Sequence, residues 1–128
     1  MEITKEKLIG CAREAMQMSY SPYSHFAVGA ALLGKNGQVY KGCNIENASF
    51  GATNCAERTA LFKAVSEGCH EFVSIAIVSK SGGLTFPCGI CCQVLSEFFE
   101  GNEEIYLESP EGISTYKLAD FLPHQFNL

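Results

Sequence analysis

Two short cysteine clusters constrain this chain most: Cys55-Ala56-Glu57 and, 33 residues on from Cys55, Pro87-Cys88-Gly89-Ile90-Cys91. If the thiolates of Cys55, Cys88 and Cys91 share one zinc ion, the fold has to bring two distant segments to a common point. Three protein ligands leave a tetrahedral zinc with an open position for water, the arrangement of a catalytic site rather than a closed structural one. Glu57 puts a carboxylate beside that position, as general acid–base work on the water requires. A closed four-cysteine site completed by Cys92 or Cys43 fits the same residue types, because Cys92 would share a helical face with Cys88. Acidic residues are also common in first helical turns for dipole reasons alone, so without the cysteines Glu57 would point to no chemistry.

The remaining composition narrows the setting. Seven cysteines are an odd number, and the charged start Met1-Glu2-Ile3-Thr4-Lys5-Glu6-Lys7 has no apolar signal-peptide core. A disulfide framework is therefore not expected; metal and core roles are, with Cys11, Cys43 and Cys69 read as ordinary packing residues and the protein as cytoplasmic. Nine basic against fourteen acidic residues give a net charge of -5 with no Lys/Arg cluster, which excludes a phosphate-tracking surface and makes polynucleotide an unexpected partner. No apolar run is long enough to span a bilayer, so no membrane role is expected. A chain of 128 residues fits a single domain over 1–128.

Thr4 can cap an amphipathic helix whose inner stripe is Leu8, Ala12, Ala15 and Met16, ending near Ser21-Pro22. Residues 26–33 suit a buried strand that Lys35-Asn36-Gly37 turns back into residues 38–43 as a hairpin. After a polar loop over 44–54, a second helix begins at Cys55, carries Ala60, Leu61, Ala64 and Val65 inward, and stops at Gly68. Residues 72–78 read as a strand covered on both faces; Pro87 precedes a third helix with Val94, Leu95 and Phe98 inward. Residues 105–107 and 113–118 are two further strands around Gly112, and a short last helix ends near Pro123. The pattern predicts a three-layer α/β domain, a mixed sheet of about five strands with helices on both faces, and both cysteine clusters at helix N-termini, where negative charge is favoured.

Four blocks carry a family resemblance: Tyr20-Ser21-Pro22-Tyr23-Ser24, Phe26-Ala27-Val28-Gly29-Ala30-Ala31, Gly42-Cys43-Asn44-Ile45-Glu46-Asn47-Ala48 and Cys55-Ala56-Glu57-Arg58-Thr59-Ala60. With the P-C-x-x-C run, they resemble the small homotetrameric zinc-dependent cytidine deaminases of pyrimidine salvage, over nearly the whole chain. The resemblance implies an α/β/α deaminase fold and one Zn2+ per chain on Cys55, Cys88 and Cys91, with Cys92 standing where the family usually has Arg. It gives Glu57 the proton transfers of a hydrolysis in which activated water attacks C4 of cytosine, Glu57 protonates N3, and ammonia leaves. Asn44 and Glu46 match the pair that hydrogen-bonds the ribose hydroxyls; Phe26 and Ala56 fall among the substrate-binding positions. Phe50 stands where many members carry Tyr. Leu122-Pro123-His124-Gln125-Phe126 resembles the family's L-P-x-x-F tail, whose Phe, here Phe126, reaches a neighbouring subunit's site.

With Cys92 in place of Arg, Arg58 is expected to carry more of the positive charge that offsets three thiolates. His25, His70 and His124 fall in no metal-like spacing. The reading that results is hydrolysis of free cytidine and deoxycytidine by a homotetramer with shared sites. A deaminase of an aminonucleoside antibiotic such as blasticidin S fits Arg58-Thr59-Ala60 and the ribose pair less well; a catalytically silent zinc-stabilised interaction module is opposed by the retained Glu57.

Overall fold

A computed structural model describes residues 3–128. Thr4 caps the first helix, α1 (Lys5–Met16), its Oγ1 accepting from the Lys7 N–H at 3.2 Å. Leu8, Ile9, Ala12 and Ala15 form the buried stripe, and Met16 is only half-buried. The helix ends several residues before Ser21-Pro22 because the Tyr20 backbone is already engaged elsewhere: its N–H bonds the Asn44 carbonyl at 3.1 Å, and its carbonyl accepts from Glu46 at 2.8 Å.

Five strands follow, β1 (Val28–Gly34), β2 (Val39–Cys43), β3 (Phe72–Ser79), β4 (Glu104–Ser109) and β5 (Gly112–Tyr116). They lie side by side in the order β2-β1-β3-β4-β5, and only the β3–β4 pair is parallel. The β1–β2 hairpin turns through Gly37 at φ +84°, a conformation that glycine adopts without strain. Between β2 and β3 lies α2 (Ala56–Ser66); the parallel crossover from β3 to β4 carries α3 (Gly89–Ser96).

Strand alternation sorts the core into two layers of packing. Ala30, Leu32, Ile75, Ile77, Ile105 and Leu107 face α2 and α3, while Ala31, Leu33, Ala76 and Val78 face α1. The expected three-layer arrangement is therefore observed. Two glycines let the helices lie directly on the strands. A Cβ on Gly29 would fall 2.0 Å from the Ala12 carbonyl oxygen of α1, and one on Gly42 would fall 2.4 Å from the Ala60 nitrogen of α2.

The local expectations differ from the structure at four further places. Phe26 and Ala27 precede β1 rather than belonging to it, because His25 at φ +58° turns the chain just before them. Phe98 lies past the end of α3, where Phe99 takes the buried position. The last strand stops at Tyr116, since buried Leu118 starts a turn of 3-10 helix over Leu118–Asp120. That single turn is all that forms of the predicted last helix; the Asp120 carboxylate accepts from the Lys117 N–H at 2.8 Å and closes it. No helix among the described residues is long and apolar enough to cross a membrane.

Candidate active site

Cys55 is the N-cap of α2 and Cys88 the N-cap of α3, with Cys91 in the first turn of α3. Their sulfur atoms all lie within 4.8 Å of one another. The Cys55 and Cys88 Sγ atoms are 3.8 Å apart, and sulfurs at about 2.3 Å on a tetrahedral zinc stand about 3.8 Å from each other. Three soft sulfur donors at that spacing, at two helix N-termini that favour thiolates, fit zinc.

The sulfurs are not equivalent. The Cys55 thiol is held well below its ordinary value by the neighbouring Cys91 sulfur and, against its burial, by the Arg58 guanidinium. Cys91, beside Cys55 and itself buried, is pushed up in turn. Arg58 Nη2 reaches Cys55 Sγ at 3.3 Å.

Cys92 is outside this cluster. Its Sγ is buried in the main core and points to the Pro87 carbonyl at 3.7 Å, and burial pushes its thiol up to about 11. The four-cysteine alternative completed by Cys92 thus has no geometric support. Cys43, half-buried at the end of β2, is not grouped with the three sulfurs either.

Glu57 is the second residue of α2 and is almost fully buried. Burial raises its carboxyl to about 7, against the pull of its own helix-terminal N–H, and the negative charge of Cys55 adds to the rise.

These groups open onto a cavity of about 250 Å³ at one end of the sheet, where β1 starts, β2 ends and both α2 and α3 begin. Of the residues singled out in the sequence, Phe26, Asn44, Glu46, Cys55, Ala56, Glu57 and Cys88 all line it. Cys91 lies beneath them, buried, and Arg58 acts from outside the wall through Cys55. Phe50 is exposed and lines an adjoining cavity of about 380 Å³ with Tyr23, Ser24, Glu46 and Thr53. Phe126 is exposed too; its carbonyl accepts from Gln93 Nε2 at 3.2 Å, and it does not line the cavity of its own chain. A cleft of similar volume between α1 and β2, with Glu14, Lys41 and Lys63 in its wall, brings together no such chemistry.

Asn44 is held by three hydrogen bonds. Its Oδ1 accepts from the Val28 N–H at 2.9 Å and from the Ser19 hydroxyl, and its Nδ2 donates to the Phe26 carbonyl at 2.8 Å. The Val28 N–H can only meet an acceptor, which fixes the amide's orientation and leaves one N–H free. Val28, Thr53, Asn54, Thr85 and Phe86 also line the cavity and were not singled out in the sequence. Phe86, immediately before Pro87-Cys88, had the only readable signal, its position one residue from the metal motif; its ring packs on Phe121 with centroids 5.7 Å apart.

Residues 2–107 match the family model described as the cytidine and deoxycytidylate deaminase zinc-binding region. The chain belongs to that family. A cytidine deaminase of Sporosarcina psychrophila is 48% identical over 95% of this chain and 90% of the relative. One from Halalkalibacterium halodurans is 48% identical over 95% and 93%. The crystal structure of cytidine deaminase from Burkholderia pseudomallei superposes with a TM-score of 0.90 at 44% identity, covering 96% of this chain and 99% of that one. The matched stretch contains all three clustered cysteines, so this chain of a zinc-dependent deaminase family carries a trio, Cys55, Cys88 and Cys91, that could hold the metal.

Proposed function

We propose that the protein, acting as a single domain, hydrolyses free cytidine and deoxycytidine to uridine and deoxyuridine with release of ammonia. The observation that carries this reading is the buried carboxylate of Glu57 in the same cavity wall as the Cys55 and Cys88 sulfurs. When bound, zinc supplies a Lewis acid that makes water nucleophilic at neutral pH. Glu57 takes a proton from that water and delivers it to N3 of the cytosine ring while the water oxygen bonds to C4. Glu57 then carries the second water proton to the exocyclic nitrogen, the C4–N4 bond breaks, and ammonia leaves; the water oxygen remains as the carbonyl of uracil. Arg58 keeps positive charge on the sulfur side, Phe26 gives the base an apolar wall, and Asn44 and Glu46 receive the sugar hydroxyls.

The sugar pair and the Arg58-Thr59-Ala60 run favour a nucleoside over an aminonucleoside antibiotic. A net charge of -5 opposes a polynucleotide substrate. We read the active form as a cytoplasmic homotetramer of pyrimidine salvage in which Phe126 completes a neighbour's cavity; the exposed rings of Phe50 and Phe126 support that reading. The test is the fall in cytidine absorbance and the release of ammonia with zinc-loaded protein, beside a single-stranded DNA control. No turnover of cytidine, or efficient turnover of the oligonucleotide, would overturn the substrate assignment. Sedimentation of a fully active monomer would overturn the assembly.

A further inference from the structure

Glu46 does not face the cavity as a free carboxylate. Its Oε1 accepts the main-chain N–H groups of Tyr23 at 2.9 Å and Ser24 at 3.1 Å, and its Oε2 accepts the Ser24 hydroxyl. The same Ser24 oxygen accepts the Phe26 N–H at 3.0 Å. One exposed side chain therefore links the carboxylate to the aromatic on the opposite side of the turn. Between Ser24 and Phe26, His25 holds a left-handed backbone at φ +58°, with its own N–H tied to the Ser21 carbonyl at 3.0 Å. A non-glycine residue persists in that region only where its surroundings enforce it, and such positions gather at ligand sites.

A carboxylate offers roughly four acceptor sites, and three are taken here. The remaining one lies on Oε2. Asn44, by the same accounting, has one N–H left. One acceptor and one donor on the same cavity wall match a hydroxyl group, which gives one proton and accepts one. The match holds only while Oε2 stays turned as it is. We propose that Ser24 is the positioning residue of the sugar site: its hydroxyl, with the Tyr23 and Ser24 N–H groups, aims the last lone pair of Glu46 at a sugar hydroxyl that Asn44 donates to. The hydrogen bond from Ser24 is also the foremost reason that the Glu46 carboxyl stays below the usual carboxylate range, keeping it an acceptor. This inference rests on the nucleoside reading above.

The experiment compares the parent, Ser24→Ala and Ser24→Thr. It measures kcat and KM for cytidine, and calorimetric binding of uridine and 2′,3′-dideoxyuridine. Ser24→Ala is expected to raise the KM for cytidine and the Kd for uridine roughly tenfold, as loss of a hydrogen bond to a charged group does. Its kcat should stay within about twofold and its Kd for dideoxyuridine should not change, because only the hydroxyl contact is lost. Ser24→Thr, which keeps the hydroxyl, should recover most of the loss. In a Glu46→Gln background, Ser24→Ala should add little, since its effect runs through that carboxylate. Equal losses for uridine and dideoxyuridine, no loss for either, or full additivity with Glu46→Gln would overturn the role of Ser24. A parent protein that fails to deaminate cytidine would overturn the nucleoside reading instead.

Discussion

The guanidinium of Arg58 donates to Cys55 Sγ at 3.3 Å, one helical turn along α2 from the N-cap position that Cys55 occupies. Its Nε is buried without a partner, so the side chain gives up solvation to reach the sulfurs. Three thiolates around a divalent ion leave a formal charge of -1, which works against water activation. Cys92, turned to the Pro87 carbonyl, supplies no counter-charge.

Arg58→Gln should therefore move the acid limb of the pH profile of kcat/KM upward. Removing a positive charge makes a nearby acid harder to ionise; at about 5 Å and an effective dielectric of about 20, the shift is at most about two pKa units. Cys92→Arg added to Arg58→Gln should bring the limb part of the way back. An unchanged profile at full zinc occupancy would show that the two helix N-termini suffice.

Glu57→Gln should lower turnover by about 10²–10⁴-fold while zinc stays bound, because the proton carrier is removed and the sulfurs are not. Its second effect is on stability. The folded carboxyl sits at about 7 through burial, above its ordinary range. Its neutral form is then favoured in the native state, and that stability is present at low pH and lost as pH rises through 7. In chelator-treated protein at pH 8, Glu57→Gln should melt higher than the parent, by at most about 3 kcal/mol. A Gln variant less stable than the parent at pH 8 would contradict the cost assigned to burial.

Metal analysis of single cysteine variants separates the ligands from their neighbour. Cys92→Ala should keep one zinc per chain and lose about 1 kcal/mol of stability through the core gap it leaves. Cys91→Ala should lose the metal. The reverse pattern would refute the ligand set.

Gly42→Ala tests how the sheet positions the site. The new Cβ would stand 2.6 Å from the Ala56 carbonyl oxygen and 2.4 Å from the Ala60 nitrogen, backbone atoms of the helix that presents Cys55 and Glu57. Forcing them apart should cost about 1–3 kcal/mol in a melt and weaken zinc binding. Gly10→Ala is the control: it meets nothing within 4 Å in the interior of α1 and should stabilise by up to about 1 kcal/mol. Equal melting of Gly42→Ala and the parent would show that α2 does not depend on that contact.

The grouping of Cys55, Cys88 and Cys91 was legible because two short clusters offered soft sulfur donors and the family's P-C-x-x-C run picked out Cys88 and Cys91 among them. The helix cap at Thr4 and the glycine turn at Gly37 were legible for the same kind of local reason. Cys92 was misleading. Cys88 is the N-cap: its carbonyl accepts the Cys92 N–H at 2.9 Å, but its side chain turns back to the Cys91 N–H while the Cys92 sulfur turns to the Pro87 carbonyl, so the two side chains do not meet. Nothing in the composition marked His25 as left-handed, and that one angle decides where β1 begins. Thr85, Phe86 and Ser24 reach the cavity only through tertiary packing of loops, to which hydrophobic periodicity is blind.

The convergence of two helix starts on three sulfurs also bears on how the protein opens. Cys55 begins α2, Cys88 and Cys91 begin α3, and both helices cover the same face of the sheet. A metal held by all three fastens one layer of the domain to itself, while α1 on the far face has no such fastening. Local opening should then depend on zinc activity on one side only. Chelation should speed amide hydrogen exchange in the first turns of α2 and α3 and leave α1 as protected as before, so that the free zinc concentration regulates the motions of half the molecule.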